Sequence, residues 1–211
     1  MITEQAKVHL SAVDPIMAEL ISRCPIGVEQ REREDVFQSL CRAIIYQQLS
    51  GKAAAAIERK FLALFDHTFP LVPVLANAPV EQLRTAGLSG QKANYLGNIA
   101  RFWQEQELHQ FDWDKRSDDE LIALLTQIKG VGKWTVEMLL IFTLQRPDVF
   151  PNADLGIKKS IARHYKSMKE DDIMSRSFAQ KMQTLSETWK PYRSTATRYL
   201  WRAIDGDIPS F

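Results

Sequence analysis

Apolar residues recur along this chain in pairs three to four positions apart, and no stretch alternates apolar with polar at period two, so the pattern predicts helices throughout. Asp14-Pro15 reads as a helix start, an aspartate cap with proline in the first turn, followed by Ile16, Met17, Leu20 and Ile21 as far as Cys24. Val36, Phe37, Leu40, Cys41, Ile44 and Ile45 mark the next helix, which runs out into Tyr46-Gln47-Gln48-Leu49. Ser50 is the expected cap of a helix carrying Ile57, Phe61, Leu64 and Phe65. Between Asp66 and Pro79 the prolines Pro70, Pro73 and Pro79 predict short turns, with Pro79 in the first turn of a helix that ends at Gly87. Ser89 caps a helix bearing Ala93, Leu96, Ile99, Ala100 and Trp103, and a polar stretch from Gln104 to Arg116 follows. Further helices are expected at about 155–165, 175–188 and 192–204.

Between these lies the stretch that carries most information. Ser117 with Glu120 three residues later is a capping box that opens a helix with Leu121, Ile122, Leu124, Leu125 and Ile128. Gly130 and Gly132 flank Val131, which predicts a sharp turn through left-handed backbone space, where only glycine has no steric penalty. A second helix starts at once, with Val136, Leu139, Leu140 and Thr143 at helical spacing, until Pro147 stops it. A helix, a glycine hairpin and a helix present backbone N–H groups and a positive dipole end, which together seat an anion such as a phosphate. Main-chain donors grip a nucleic-acid backbone without reading its sequence, and Lys133 adds a cation. An ordinary tight connection between helices accounts for the same glycines.

Length and composition narrow the class. With 211 residues the chain buries a proper core as one domain or two lobes, and 45% hydrophobic with 25% charged residues is ordinary for a globular protein. The net charge is only +1, so any DNA-binding face is a local concentration of charge. Lys158, Lys159 and Arg163, and Lys190, Arg193 and Arg198, are candidate phosphate contacts, although runs of charge are commonly just solvated faces. Cys24 and Cys41 lack metal-ligand spacing, which excludes a four-cysteine iron-sulfur cluster and suggests a reducing compartment, with Cys41 on an apolar helix face. The N-terminal residues carry acids and no long apolar run, so no signal peptide and no membrane association are expected. The expected location is the cytoplasm, or the nucleus in a eukaryote.

Gly130-Val131-Gly132-Lys133-Trp134-Thr135, followed about twenty residues on by Pro151 and Asp154, resembles the helix-hairpin-helix plus Gly/Pro-rich loop and aspartate motif of the DNA glycosylase superfamily. Three further stretches, Ile44 to Ser50, Gly87 to Ala93 and Trp189 to Ser194, are similar to the alkyladenine branch, DNA-3-methyladenine glycosylase II, in a shorter, wholly helical form. The resemblance implies one all-α glycosylase domain over 1–211 with two helical lobes and the active site in the cleft between them. Lobe one spans about 36–133, and lobe two about 1–30 plus 134–211.

On residues alone Asp154 caps the helix bearing Ile157 and Ile161. By resemblance it is also the catalytic aspartate, whose carboxylate stabilises positive charge on the deoxyribose as the N-glycosidic bond breaks. Trp134 and Trp201 match family positions that line the base pocket, with Tyr46, Gln47, Met138, Leu155 and Tyr192 nearby; core packing is the alternative for the tryptophans. An aromatic face favours the cationic ring of a 3-methyladenine or 7-methylguanine nucleoside by roughly 0.5 to 2 kcal/mol. Gln48 or Leu49 resembles the family's intercalating position, which fills the gap left by a flipped base; a plain interhelical turn explains them equally. Gly130, Val131, Gly132 and Lys133 are the implied DNA-backbone contacts.

Relatives with lyase activity place a Schiff-base lysine two positions after the second hairpin glycine, but here that position is Trp134, and Lys133 lies about 100° around the helix. A monofunctional enzyme is therefore expected, leaving an abasic site. Ala153 and Leu155 depart from the acidic and aromatic neighbours of the better-known bacterial enzyme, which leaves the lesion spectrum open. By family analogy the backbone carbonyl of Ile128 is a candidate ligand for a structural monovalent cation; no other cofactor or metal is expected. The function expected is base-excision repair of alkylated purines in double-stranded DNA, by a monomer. The alternatives are a non-catalytic helix-hairpin-helix DNA-binding module and a glycosylase for oxidised or deaminated bases.

Overall fold

A computed structural model describes residues 2–27, 34–168 and 172–205. Among these residues there is no strand, and the helical architecture expected from the spacing of apolar positions is what forms. In chain order the α-helices are α1 (Glu4–Val13), α2 (Pro15–Arg23), α3 (Val36–Tyr46), α4 (Gly51–Ala63), α5 (Val72–Asn77) and α6 (Val80–Thr85). They continue with α7 (Gly90–Glu105), α8 (Asp118–Leu125), α9 (Lys133–Phe142), α10 (Leu155–His164), α11 (Arg176–Glu187) and α12 (Arg193–Asp205). Short 3-10 turns form at Leu108–Gln110, Trp113–Lys115 and Lys166–Met168.

The chain divides into two compact units. Among the described residues, one comprises 2–27 and everything from Leu140 onward, and the other comprises 34–139. The division falls between Leu139 and Leu140, inside α9, rather than between Lys133 and Trp134. The expected end of the N-terminal segment near residue 30 lies outside the described residues.

In the 34–139 unit α7 is the hub, with α3, α5 and α6 packed on it and α4 against α3. Leu40, Ile44, Ile45, Phe61, Leu96 and Ile99 are fully enclosed, and Cys41 is buried among them, its thiol pushed up by desolvation. Phe37 packs on Trp103, which stacks on Trp113 with ring centres 5.4 Å apart. In the other unit α12 packs on α10, α2 and α1. Trp189, Tyr199, Phe178, Leu10 and Met17 form that core, each fully buried.

Local chemistry sets the element ends. The Ser117 hydroxyl accepts the Glu120 amide at 3.2 Å while the Glu120 carboxylate accepts the Ser117 amide at 2.8 Å, so both halves of the capping box form. Ser89 caps α7 by accepting the Lys92 amide, whereas Ser50 occupies the cap position of α4 without a side-chain bond. Several elements differ from expectation. Helix α1 was not expected, yet Thr3 caps it and Ile2, Ala6 and Leu10 are buried at four-residue intervals. Helix α5 forms where proline punctuation predicts only turns, because Pro73 falls in its first turn, where no amide hydrogen is required. Pro79 is the cap residue of α6 rather than part of its first turn. Helix α9 ends at Phe142, ahead of Pro147: Gln145 adopts a left-handed φ of 54° and the Arg146 amide closes back on the Leu140 carbonyl at 2.8 Å.

Candidate active site

The residues singled out in the sequence fall into two groups, one in each unit. In the unit that holds the C-terminal helices, the loop Pro151–Ala153 delivers Asp154 to the start of α10, where it is the N-cap with extended backbone. Its Oδ1 accepts the Ile157 amide at 2.8 Å and the Trp201 indole N–H at 3.0 Å. Asp154 is 9% exposed and Trp201 3%. The Trp201 ring stacks on Phe142 with centroids 5.8 Å apart and planes 18° from parallel, and the Arg198 guanidinium lies 5.8 Å over the other ring of that pair, Phe142. A carboxylate is thus held in one orientation by a helix amide and an indole, against an aromatic wall. Gly156 makes this closeness feasible: a Cβ there would lie 3.1 Å from the Asp154 Oδ1 and 3.2 Å from the Trp201 ring. Phe142 and Gly156 were not anticipated, since both act through contacts between segments far apart in sequence. Leu155, next to the acid, is 48% exposed. Tyr192 is half-buried, edge-on to His9.

In the other unit the hairpin forms between α8 and α9, closed by the Val131 amide on the Ile128 carbonyl at 3.0 Å. Only one of its glycines needs left-handed space. Gly130 has φ 109° and sits so close to the Tyr95 ring that a Cβ would overlap it. Gly132 has no positive φ, contrary to the expectation that both glycines enter that region; a Cβ there would meet nothing within 4 Å. Its carbonyl accepts the Val136 amide, so it is the cap residue of α9, and the space in front of it is open. Lys133 is exposed, 3.7 Å from the Glu137 carboxylate. The Ile128 carbonyl is engaged in the turn, and the Lys129 carbonyl accepts the Asn98 amide group at 3.1 Å; a cation at the hairpin would have to use their remaining lone pairs. Among the described residues no group of His, Cys, Asp and Glu is arranged to hold a metal.

At the end of α3, Gln47 is the C-cap and Gln48 takes a left-handed φ of 57°. Gln48 and Leu49 are exposed, while Gln47 is half-buried and donates to the Thr135 hydroxyl at 3.3 Å, in the first turn of α9. Tyr46 donates to Glu58 at 2.8 Å, and burial followed by that carboxylate raises its phenol above the ordinary range. Trp134 is half-buried and Met138 buried.

Three of the basic residues expected to meet phosphate have partners within the protein. Arg193 makes a fork on Asp148, with Nε to Oδ1 at 2.8 Å and a terminal nitrogen to Oδ2 at 2.9 Å. Arg198 is buried over Phe142. Lys190 pairs with Glu187 at 2.6 Å, and Lys159 and Arg163 are exposed. No helix among the described residues is long and apolar enough to cross a membrane.

The family model for the HhH-GPD superfamily of base excision DNA repair proteins matches residues 41–191. DNA-3-methyladenine glycosylase 1 of Schizosaccharomyces pombe is 35% identical over 202 residues, covering 94% of this chain and 86% of that protein. DNA-3-methyladenine glycosylase of Saccharomyces cerevisiae is 32% identical over 228 residues, covering 92% and 77%. A solved structure of Schizosaccharomyces pombe 3-methyladenine DNA glycosylase in complex with abasic DNA superimposes with a TM-score of 0.77 at 33% identity, over 94% of this chain and 95% of that one. With the hairpin, the following loop and the aspartate all inside the matched region, the chain belongs to the HhH-GPD superfamily of base excision DNA repair proteins.

Proposed function

We propose that the protein is a DNA glycosylase that hydrolyses the N-glycosidic bond of alkylated purines, of the 3-methyladenine and 7-methylguanine type, after the nucleotide is flipped out of double-stranded DNA. The observation that carries the proposal is Asp154, a carboxylate pinned by the Ile157 amide and the Trp201 indole beside stacked aromatic rings. An acid so fixed needs no reorganisation when positive charge develops on a sugar, which is where electrostatic catalysis gains most. An alkylated purine is already cationic, so it leaves readily and is attracted to an aromatic wall such as Trp201 stacked on Phe142 supplies. Water is the nucleophile: position 134 is an indole, with no amine to form a Schiff base, and an abasic site remains. Gly130 to Lys133 hold the strand through phosphate, and Gln48 or Leu49 enters the stack. The enzyme acts as a monomer where the DNA is, in the cytoplasm or in a nucleus.

The test is release of labelled base from methylated duplex DNA. Methylated purines should appear free, with the strand intact until alkali is added and with no protein–DNA adduct after borohydride. Absence of release would return the chain to a DNA-binding module, release confined to oxidised or deaminated bases would reassign the lesion, and good yields of adduct would overturn the monofunctional reading.

The hairpin is tested by Gly132→Val. Losing a hydrogen bond to a charged phosphate should weaken binding to every DNA sequence alike, by about ten- to a hundredfold in Kd. Because a side chain at 132 meets no protein atom, the fold should lose only the ~1 kcal/mol of an unfavourable cap residue. Unchanged affinity in a filter-binding or anisotropy titration would remove the hairpin as the phosphate seat.

A further inference from the structure

Lys92 belongs to the Gly87–Ala93 stretch, and the chemistry above gives it no task. In the structure its part-buried ammonium donates to two backbone carbonyls at the end of another helix, those of Ile45 and of the cap residue Gln47, each at 2.7 Å. Ser89 caps α7 by accepting the Lys92 amide, which sets the register of that first turn. The two carbonyls belong to the last turn of α3, whose next residues are Gln48 and Leu49. Within that turn Gln48 is held at a left-handed φ of 57° without being glycine. Nearby, Gln47 is tied by its side chain to Thr135. The turn is therefore fixed from two directions, and its exposed tip carries the two candidate intercalating residues.

The same flank of α7 braces the hairpin. One turn beyond Lys92, the Tyr95 ring fills the space in front of Gly130, and one turn further Asn98 donates to the Lys129 carbonyl at 3.1 Å. Residues 92, 95 and 98 recur at three-residue spacing, so one helix face contacts both the intercalating turn and the phosphate-gripping turn. Helix ends can be capped by a basic side chain at the surface, where the ammonium stays hydrated. Here the group is partly desolvated, and burial lowers its proton affinity. That cost goes with a defined geometry rather than with a simple cap.

We propose that Lys92 is a positioning residue for base flipping, a strut from α7 that fixes the Gln48–Leu49 turn at a set distance from the hairpin. This rests on the glycosylase reading above. Wedge insertion is required only when a paired base must be extruded, so loss of the strut should spare a lesion that is already unstacked.

The experiment compares Lys92→Met, Lys92→Arg and wild type in two readouts. In hydrogen exchange, the amides of Gln48 to Ser50 should exchange at least about tenfold faster in Lys92→Met, with the amides of the α3 core unchanged. In base release, kcat/KM for a methylated purine paired in duplex DNA should fall about ten- to a hundredfold, the usual consequence of an ångström-scale misplacement. The same lesion unpaired in a bulge should lose less than about threefold, and Lys92→Arg, which keeps donors for both carbonyls, should recover most of the loss. Unchanged exchange at the turn would overturn the strut. Faster exchange with equal losses on paired and unpaired lesions, or with no loss on either, would overturn the role in flipping. If the wild type releases methylated bases from neither substrate, the glycosylase reading is what fails, and the exchange measurement still decides whether Lys92 holds the turn.

Discussion

Asp154→Asn should release methylated purines from duplex DNA about a hundred- to a thousandfold more slowly than wild type, a loss on the order of 3 to 4 kcal/mol of transition-state stabilisation. Two donors, the Ile157 amide and the Trp201 indole, converge on one atom of the side chain, Oδ1. An asparagine carbonyl oxygen accepts both, and asparagine caps a helix as well as aspartate does. The variant therefore keeps the start of α10 and the seat of Trp201 while removing the negative charge. Its melting temperature should fall by no more than about 2 to 4 °C, the shift that about 1 kcal/mol produces in a chain of this size, because both bonds to Oδ1 survive. Asp154→Ala makes the contrast. It removes the cap and leaves two buried donors without an acceptor, so it should lose stability as well as rate, by about 2 to 4 kcal/mol. If Asp154→Asn retained full activity with the fold intact, the carboxylate would be a cap and nothing more.

How far the sequence could be read depended on whether an element's evidence was local. Spacing of apolar residues marks α3 and α7 because Leu40, Ile44 and Ile45, or Leu96, Ile99 and Ala100, return to one face within two turns. The Ser117–Glu120 pair marks α8 because a capping box lies within four consecutive residues. Helix α1 escaped for the converse reason: its buried stripe has one residue per turn, Ile2, Ala6 and Leu10, while Val8 and Val13 point outward and blur the period. Helix α5 was hidden by Pro73, which reads as a breaker unless its place in the first turn is known. Asp154 was legible as the cap of α10 because a helix start follows it directly. Its bond to Trp201 spans 47 residues and leaves no local trace. At Arg193 charge alone offers a phosphate contact, and what it could not show is the fork on Asp148, 45 residues away in sequence. Gly132 lies in the expected turn, but its backbone does not enter left-handed space and a Cβ there would meet nothing within 4 Å.

Asp14→Ala should be strongly destabilising, and the reason lies in what the side chain gathers. As the cap of α2 its Oδ1 accepts the Ile16 and Met17 amides at 2.8 and 3.1 Å. Its Oδ2 accepts the Tyr165 hydroxyl at 2.6 Å and the Trp189 indole at 2.8 Å, so one carboxylate joins the N-terminal helices to the segments around α11 of the same unit. The group is 5% exposed, and burial together with the Asp14 carboxylate drives the Tyr165 phenol far above its ordinary range, fixing it as a proton donor. A lost helix cap alone costs about 1 kcal/mol. Leaving buried donors unsatisfied costs about 1 to 3 kcal/mol each, which brings the expected total to about 3 to 5 kcal/mol once partial relaxation is allowed for. In urea unfolding followed by tryptophan fluorescence this is a large share of the ~5 to 15 kcal/mol that a folded chain has. The cap-only and full-node accounts are separated by a cycle with Tyr165→Phe. If the hydroxyl and the carboxylate act together, the two changes should couple by about 1 kcal/mol or more, and Tyr165→Phe should cost much less in the Asp14→Ala background than in wild type. A loss of only about 1 kcal/mol for Asp14→Ala with no coupling would mean that the aspartate caps α2 and that the aromatic donors hold their places by packing alone.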